Sequence, residues 1–176
     1  MNPLRIVITG PECTGKTTLS SRLAEYFNTI YIPEYARDFV EGLQRQYNYD
    51  DVLAIAGKQR EQAVTSYGDH KVIFFDTWLI ITKVWFEVVF GQYPKWIDNE
   101  LNNGYVDLWL VCATDIPWIK DSVRENGGEM REKLYDMYLS GIKKIKGKYA
   151  IISGTGDQRF LTALKAIKKN FPDICP

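Results

Sequence analysis

The run Gly10-Pro11-Glu12-Cys13-Thr14-Gly15-Lys16-Thr17 follows the spacing Gly-x-x-x-x-Gly-Lys-[Ser/Thr]. Its chemistry is that of an anion cradle. The glycines let the backbone curl until successive N–H groups face inward. A helix that starts where the run ends points its N-terminus at the phosphates. Lys16 adds a mobile positive charge near the β- and γ-phosphates, and the Thr17 hydroxyl is suited to ligate Mg²⁺. Residues 10–18, with Thr18 closing the set, are the expected nucleotide contacts, and ATP and Mg²⁺ are the expected cofactors.

Three further groups complete a candidate site. Glu34 and Arg37 lie three residues apart, directly after an apolar run that ends at Ile32-Pro33. Phosphoryl transfer asks for positioning, a metal, charge neutralisation and a group to take the acceptor proton. Glu34 is placed to accept that proton or to bind a ribose, and Arg37 to orient it or touch the substrate. A first-turn surface ion pair is the plain alternative. Asp76 follows Phe74-Phe75 and is expected on the metal side with Thr17, or as the base itself. Arg124 and Arg131 lie seven residues apart in the polar stretch 117–131, which reads as a lid segment with Gly127-Gly128 as its hinge. Two arginines on such an arm can close over ATP and neutralise the transferring group.

The elements that must position these groups alternate. Strands are predicted at Leu4 to Thr9, Thr29 to Ile32, Lys71 to Phe75, Val106 to Cys112 and Tyr149 to Ser153. Between them run helical patterns: Leu19/Leu23/Phe27, Ala36 to Leu43, Val52/Ile55/Ala56/Gln59/Ala63, Leu79 to Phe90, Pro94 to Leu101 and Met130 to Ile145. Asp50 or Asp51 is expected to cap the third of these, and Asp157 the last helix, which carries Leu161, Leu164, Ile167 and Phe171. The alternation predicts an α/β, three-layer, doubly wound fold of the P-loop kinase type, with a mainly parallel five-stranded sheet and one domain spanning 1–176. Ligands of such sheets sit at the carboxyl ends of the strands. The glycine run, Glu34, Asp76, Asp115 and Gly154 all fall there.

Composition narrows the function. Lys+Arg and Asp+Glu both number 22, so the formal net charge is zero and a general nucleic-acid surface is not expected. The Lys143, Lys144, Lys146 and Lys148 cluster reads as a solvated helix face. Three separated cysteines give neither a disulfide framework nor a zinc site. Asp76, Lys83 and Glu87 interrupt the most apolar stretch, so no membrane span is expected, and a cytoplasmic setting fits. No Asn-Lys-x-Asp guanine reader is present, and the chain is short for a hexameric motor. A compact nucleoside or nucleotide kinase fits better.

Taken in order, Gly-Pro-Glu-x-Thr-Gly-Lys-Thr-Thr, Pro33-Glu34-Tyr35-Ala36-Arg37, Asp76-Thr77 and Asp115-x-Pro-Trp118-x-x-Asp121-x-x-Arg124 closely resemble the NadR-type ribosylnicotinamide kinase domain. The resemblance implies phosphorylation of the 5′-hydroxyl of nicotinamide riboside by ATP, with Glu34, Arg37, Asp76, Asp121 and Arg124 in or near the active site. A kinase for another nucleoside, or a regulatory ATP-binding protein, is the competing reading. Bifunctional members carry an adenylyltransferase domain before the kinase, and that activity is not expected here. Cys13 stands where the family has Ser; binding should survive, because the loop works through backbone N–H groups. The implied substrate carries a pyridinium cation, which binds against an aromatic face near a carboxylate. Trp78, Trp85, Trp96 and Trp118 all lie in segments leading out of strands, with Tyr93 among them. Most are expected to pack in the core, and Trp85 and Trp118 are the candidates for that face. The oligomeric state is not legible.

Overall fold

The computed structural model of the protein describes residues 3–120 and 126–174. Five strands, β1 (Leu4–Thr9), β2 (Tyr31–Ile32), β3 (Val72–Asp76), β4 (Leu108–Cys112) and β5 (Tyr149–Ile152), form one sheet in the order β2-β3-β1-β4-β5. Every pairing is parallel. The three central strands are apolar along nearly their whole length because both faces are covered. Alternation divides the side chains. Val7, Ile73, Phe75, Trp109 and Val111 enter one core; Ile6, Ile8, Phe74, Leu108 and Leu110 enter the other.

Helices α3 (Tyr49–Val64), α4 (Leu79–Phe90) and α5 (Trp96–Asn102) cover the first face, joined by Ile142 of α6 (Gly128–Lys144). Helices α1 (Lys16–Tyr26) and α7 (Gly156–Asn170) cover the second through Leu19, Leu23, Ala163 and Ile167. The short α2 (Tyr35–Glu41) buries no residue completely. This is the expected three-layer α/β architecture. The predicted α3 face of Val52, Ile55, Ala56, Gln59 and Ala63 is buried as read. Among the described residues no helix is long and apolar enough to cross a membrane.

Local details differ from expectation. Asn48, not Asp50 or Asp51, caps α3: its side chain accepts from the Asp51 amide while Asp51 accepts from the Asn48 amide, a reciprocal capping box. Thr155 occupies the N-cap of α7, and Asp157, inside the first turn, takes the Arg22 guanidinium at 2.8 Å. Strand β2 shrinks to two residues, since Tyr31 and Ile32 alone reach the register of Phe74 and Phe75.

Candidate active site

The glycine run links the central strand β1 to α1, and its geometry demands its residues. Gly10 has φ +141°, and a Cβ there would lie 2.7 Å from the Cys112 carbonyl oxygen, so the loop can lean on the end of β4 only with glycine. Gly15 is left-handed at φ +73° and starts α1. The Thr14 hydroxyl donates to the Pro11 carbonyl at 2.8 Å, and the Lys16 ammonium folds back to the same oxygen at 2.9 Å.

Arg131 holds the loop from outside. Only 5% exposed, it donates to the carbonyls of Glu12 and Cys13, each at 2.9 Å, and to that of Thr114 at 3.2 Å. In a trans peptide the N–H points opposite to the C=O. Drawing those two carbonyls toward Arg131 therefore turns the Cys13 and Thr14 amides the other way. The expectation of Arg131 on a closing arm gives way to a fixed clamp on α6, buried because it spans two loops.

Asp76 ends β3 and is 1% exposed. One oxygen accepts from the Thr17 hydroxyl at 2.5 Å; the other has no hydrogen-bond partner among the described residues. It is not a helix cap, since Trp78 takes that position in α4. Burial raises its pKa against the opposing pull of Lys16 and the Thr17 hydrogen bond. A buried carboxylate oxygen without a partner, next to a hydroxyl and a lysine, would suit a hard divalent cation held by Asp76 and Thr17. Thr77 follows in the left-handed region at φ +69°, its N–H bonded to the Ile8 carbonyl at 2.9 Å. Such strain in a β-branched residue is held only where surroundings fix it.

Glu34 sits at the N-cap of α2 without capping it. Burial raises its pKa most, opposed by Lys16; Asp76 and Glu12 raise it further and Arg37 lowers it. Glu34, Lys16 and Asp76 are thus one electrostatic cluster. Arg37 donates to Glu41 at 2.9 Å while its charge still reaches Glu34.

A cleft of about 760 Å³ runs from the loop to the space between α2, α4 and α6. Glu34, Arg37 and Trp85 line it; the Trp85 ring meets Tyr47 edge-on at 4.8 Å. Trp118 is not among the residues that line the cleft. Its indole N–H donates to Glu12 at 3.3 Å, and the backbone and side-chain amides of Asn126 reach the same carboxylate at 3.1 and 3.2 Å. Cys13 Sγ lies 3.3 Å from both the N and O of Ile119. Glu12 and Cys13 thus fasten both ends of the segment expected to be a lid. Asp121 and Arg124 fall outside the described residues.

Sequence reading missed two residues. Arg159 on α7 is 3% exposed and donates to the Gly154, Ile152 and Ala113 carbonyls and to Asp115. Asp115 also accepts from the Gly154 amide at 2.6 Å, so the loops after β4 and β5 are tied together. Tyr138 of α6 lines the cleft at 5% exposure. An arginine in a polar helix and a tyrosine in an amphipathic one carry no local signal of either role.

Residues 5–159 match the family model described as an AAA domain. The chain belongs to the AAA domain family. Within it, the chain is 26% identical over 93% of its length to the trifunctional NAD biosynthesis/regulator protein NadR of Salmonella typhimurium, of which it spans 42%. It superposes on a crystal structure of NadR protein in complex with NR with a TM-score of 0.79, at 24% identity, covering 96% of this chain and 50% of that one. Thymidylate kinase from Ehrlichia chaffeensis gives 0.68 at 20% identity, covering 96% and 99%. The chain thus spans about half of the NadR proteins it matches, and the shared architecture is that of P-loop kinases.

Proposed function

We propose that the protein is an ATP-dependent kinase that phosphorylates the 5′-hydroxyl of nicotinamide riboside, giving nicotinamide mononucleotide. The carrying observation is that one cleft joins the phosphate loop to an acidic, aromatic wall. Among its described lining residues, Glu12, Glu34 and Glu41 outnumber Lys16 and Arg37, and Trp85 stands with Tyr47. Lys16 is committed to the triphosphate, so the acceptor end is net negative. That suits a cationic pyridinium ring and disfavours an acceptor bearing a phosphate. The likeness to NadR supports the same substrate.

In this reading the loop amides and Lys16 hold the β- and γ-phosphates, and Thr17 and Asp76 hold the Mg²⁺ side. When bound, the metal neutralises charge on the phosphate oxygens. Glu34 takes the proton of the acceptor hydroxyl, since a carboxylate with raised proton affinity is a better base, and Asp76 is engaged by Thr17. Arg37 lowers the cost of ionising Glu34.

The test is ADP release from Mg·ATP with nicotinamide riboside, a deoxynucleoside panel and nucleoside monophosphates, with products identified by mass. Nicotinamide mononucleotide formed well above all other products is expected. Preference for a monophosphate would refute the acidic-wall argument. ATP binding without acceptor-dependent ADP release would make this a nucleotide-binding protein of another kind.

A further inference from the structure

Tyr138 is a largely buried residue on the cleft wall whose hydroxyl no other described residue uses. Its ring packs with Val84 and Leu134 in a small cluster joining α4 to α6, so its orientation is set by apolar contacts. The residue is 5% exposed and lines the cleft. Among the described residues its hydroxyl has no hydrogen-bond partner. Burial, with the carboxylates of Glu12 and Glu34, pushes the phenol well above its usual range, so it stays neutral at any physiological pH. The hydroxyl is not among the buried atoms left without a partner, so it opens onto the cleft, where a bound molecule can supply the bond otherwise made to water.

The surroundings say what that molecule brings. Glu12 and Glu34 repel an anionic phosphate oxygen from this corner. The apolar wall of Trp85, Ile81, Val88 and Val89 receives a ring rather than a donor. Between a ring on that wall and a hydroxyl at Glu34 lies the sugar. We propose that Tyr138 is a specificity-determining residue whose hydroxyl hydrogen-bonds a sugar hydroxyl of the acceptor nucleoside. The inference rests on the assignment of a nucleoside acceptor to this cleft. It predicts discrimination against deoxy sugars, because a site built to pair a hydroxyl is left with an orphan when the hydroxyl is missing.

The experiment compares kcat/KM for nicotinamide riboside and its 2′-deoxy and 3′-deoxy analogues in the wild type and in Tyr138→Phe, which keeps the ring and its packing. The wild type should prefer the riboside over at least one analogue by about 10-fold or more. In Tyr138→Phe that preference should collapse toward unity through loss on the riboside, with the analogue's value and the circular dichroism spectrum unchanged. An equal loss on all three substrates, or an intact preference, overturns the proposal. If the wild type turns over none of them, the substrate reading has failed separately. The same ratio is then read with adenosine and its deoxy analogues, where a preference indifferent to Tyr138→Phe, or no turnover, overturns it.

Discussion

A carboxyl group drawn out of water beside Asp76 and Glu12 holds its proton more tightly than one in solution, even against the opposing pull of Lys16, and Glu34 is such a group. Its raised pKa has a sign. The folded state binds the proton more strongly than the unfolded chain, so the stabilisation is full below the unfolded value and is lost as pH rises through the folded one. At neutral pH, above the unfolded carboxylate value, Glu34 therefore burdens the ligand-free fold. Glu34→Gln should raise the melting temperature at pH 7, with the gain shrinking as pH falls toward the unfolded carboxylate value. The same substitution should lower kcat by about 10² to 10⁴, as expected for loss of a general base. A melting temperature that drops at pH 7 would contradict the electrostatics; an unchanged kcat would contradict the role. The positions of Asp76 at the end of β3 and of Glu34 just beyond β2 were legible because the spacing to the strand is local. Tyr138 and Arg159 were not, because what defines them is a neighbour from another element.

At the scale of elements, the phosphate loop is shaped by α6 as much as by its own glycines. Arg131 reaches over to fix the Glu12 and Cys13 carbonyls, and Arg159 of α7 binds the next two loops together. Arg131→Met removes donors from three carbonyls at once. It should destabilise the fold by about 3 kcal/mol in urea titration and weaken ATP binding about 10-fold. Arg131→Lys should recover little, since one ammonium cannot span the positions a guanidinium fork reaches. Full recovery by lysine would mean that charge, not geometry, is what the loop needs. Helix faces and strand order were legible from periodicity and alternation. The boundaries of β2 and the Asn48 cap were not: one depends on how far β3 extends, and the other on a side chain reaching back to a backbone that only the folded turn presents.

For the whole molecule, nucleotide binding couples to the global fold through mass action. Mg·ATP at about a hundred times its dissociation constant should stabilise the protein by about 2.7 kcal/mol. Lys16→Ala should keep the unliganded melting temperature while losing most of that gain and nearly all turnover. A gain that survives in Lys16→Ala would remove the loop from the account of binding.

The strand order carries a consequence for biosynthesis. Strand β1 is made before both of its partners, β3 and β4: Leu4 waits for Val72, and Ile6 also for Leu108. Until β3 has left the ribosome, Ile6, Val7 and Ile8 have no neighbouring strand, and one edge of β1 stays open until β4 follows. The nascent chain thus carries an apolar strand unpaired over the whole stretch between β1 and β3, a period of exposure to chaperones and to aggregation. The loop that cradles the phosphates is synthesised before β3 and β4 and takes its shape after them, because Arg131, which aims its amides, lies farther along the chain than either strand.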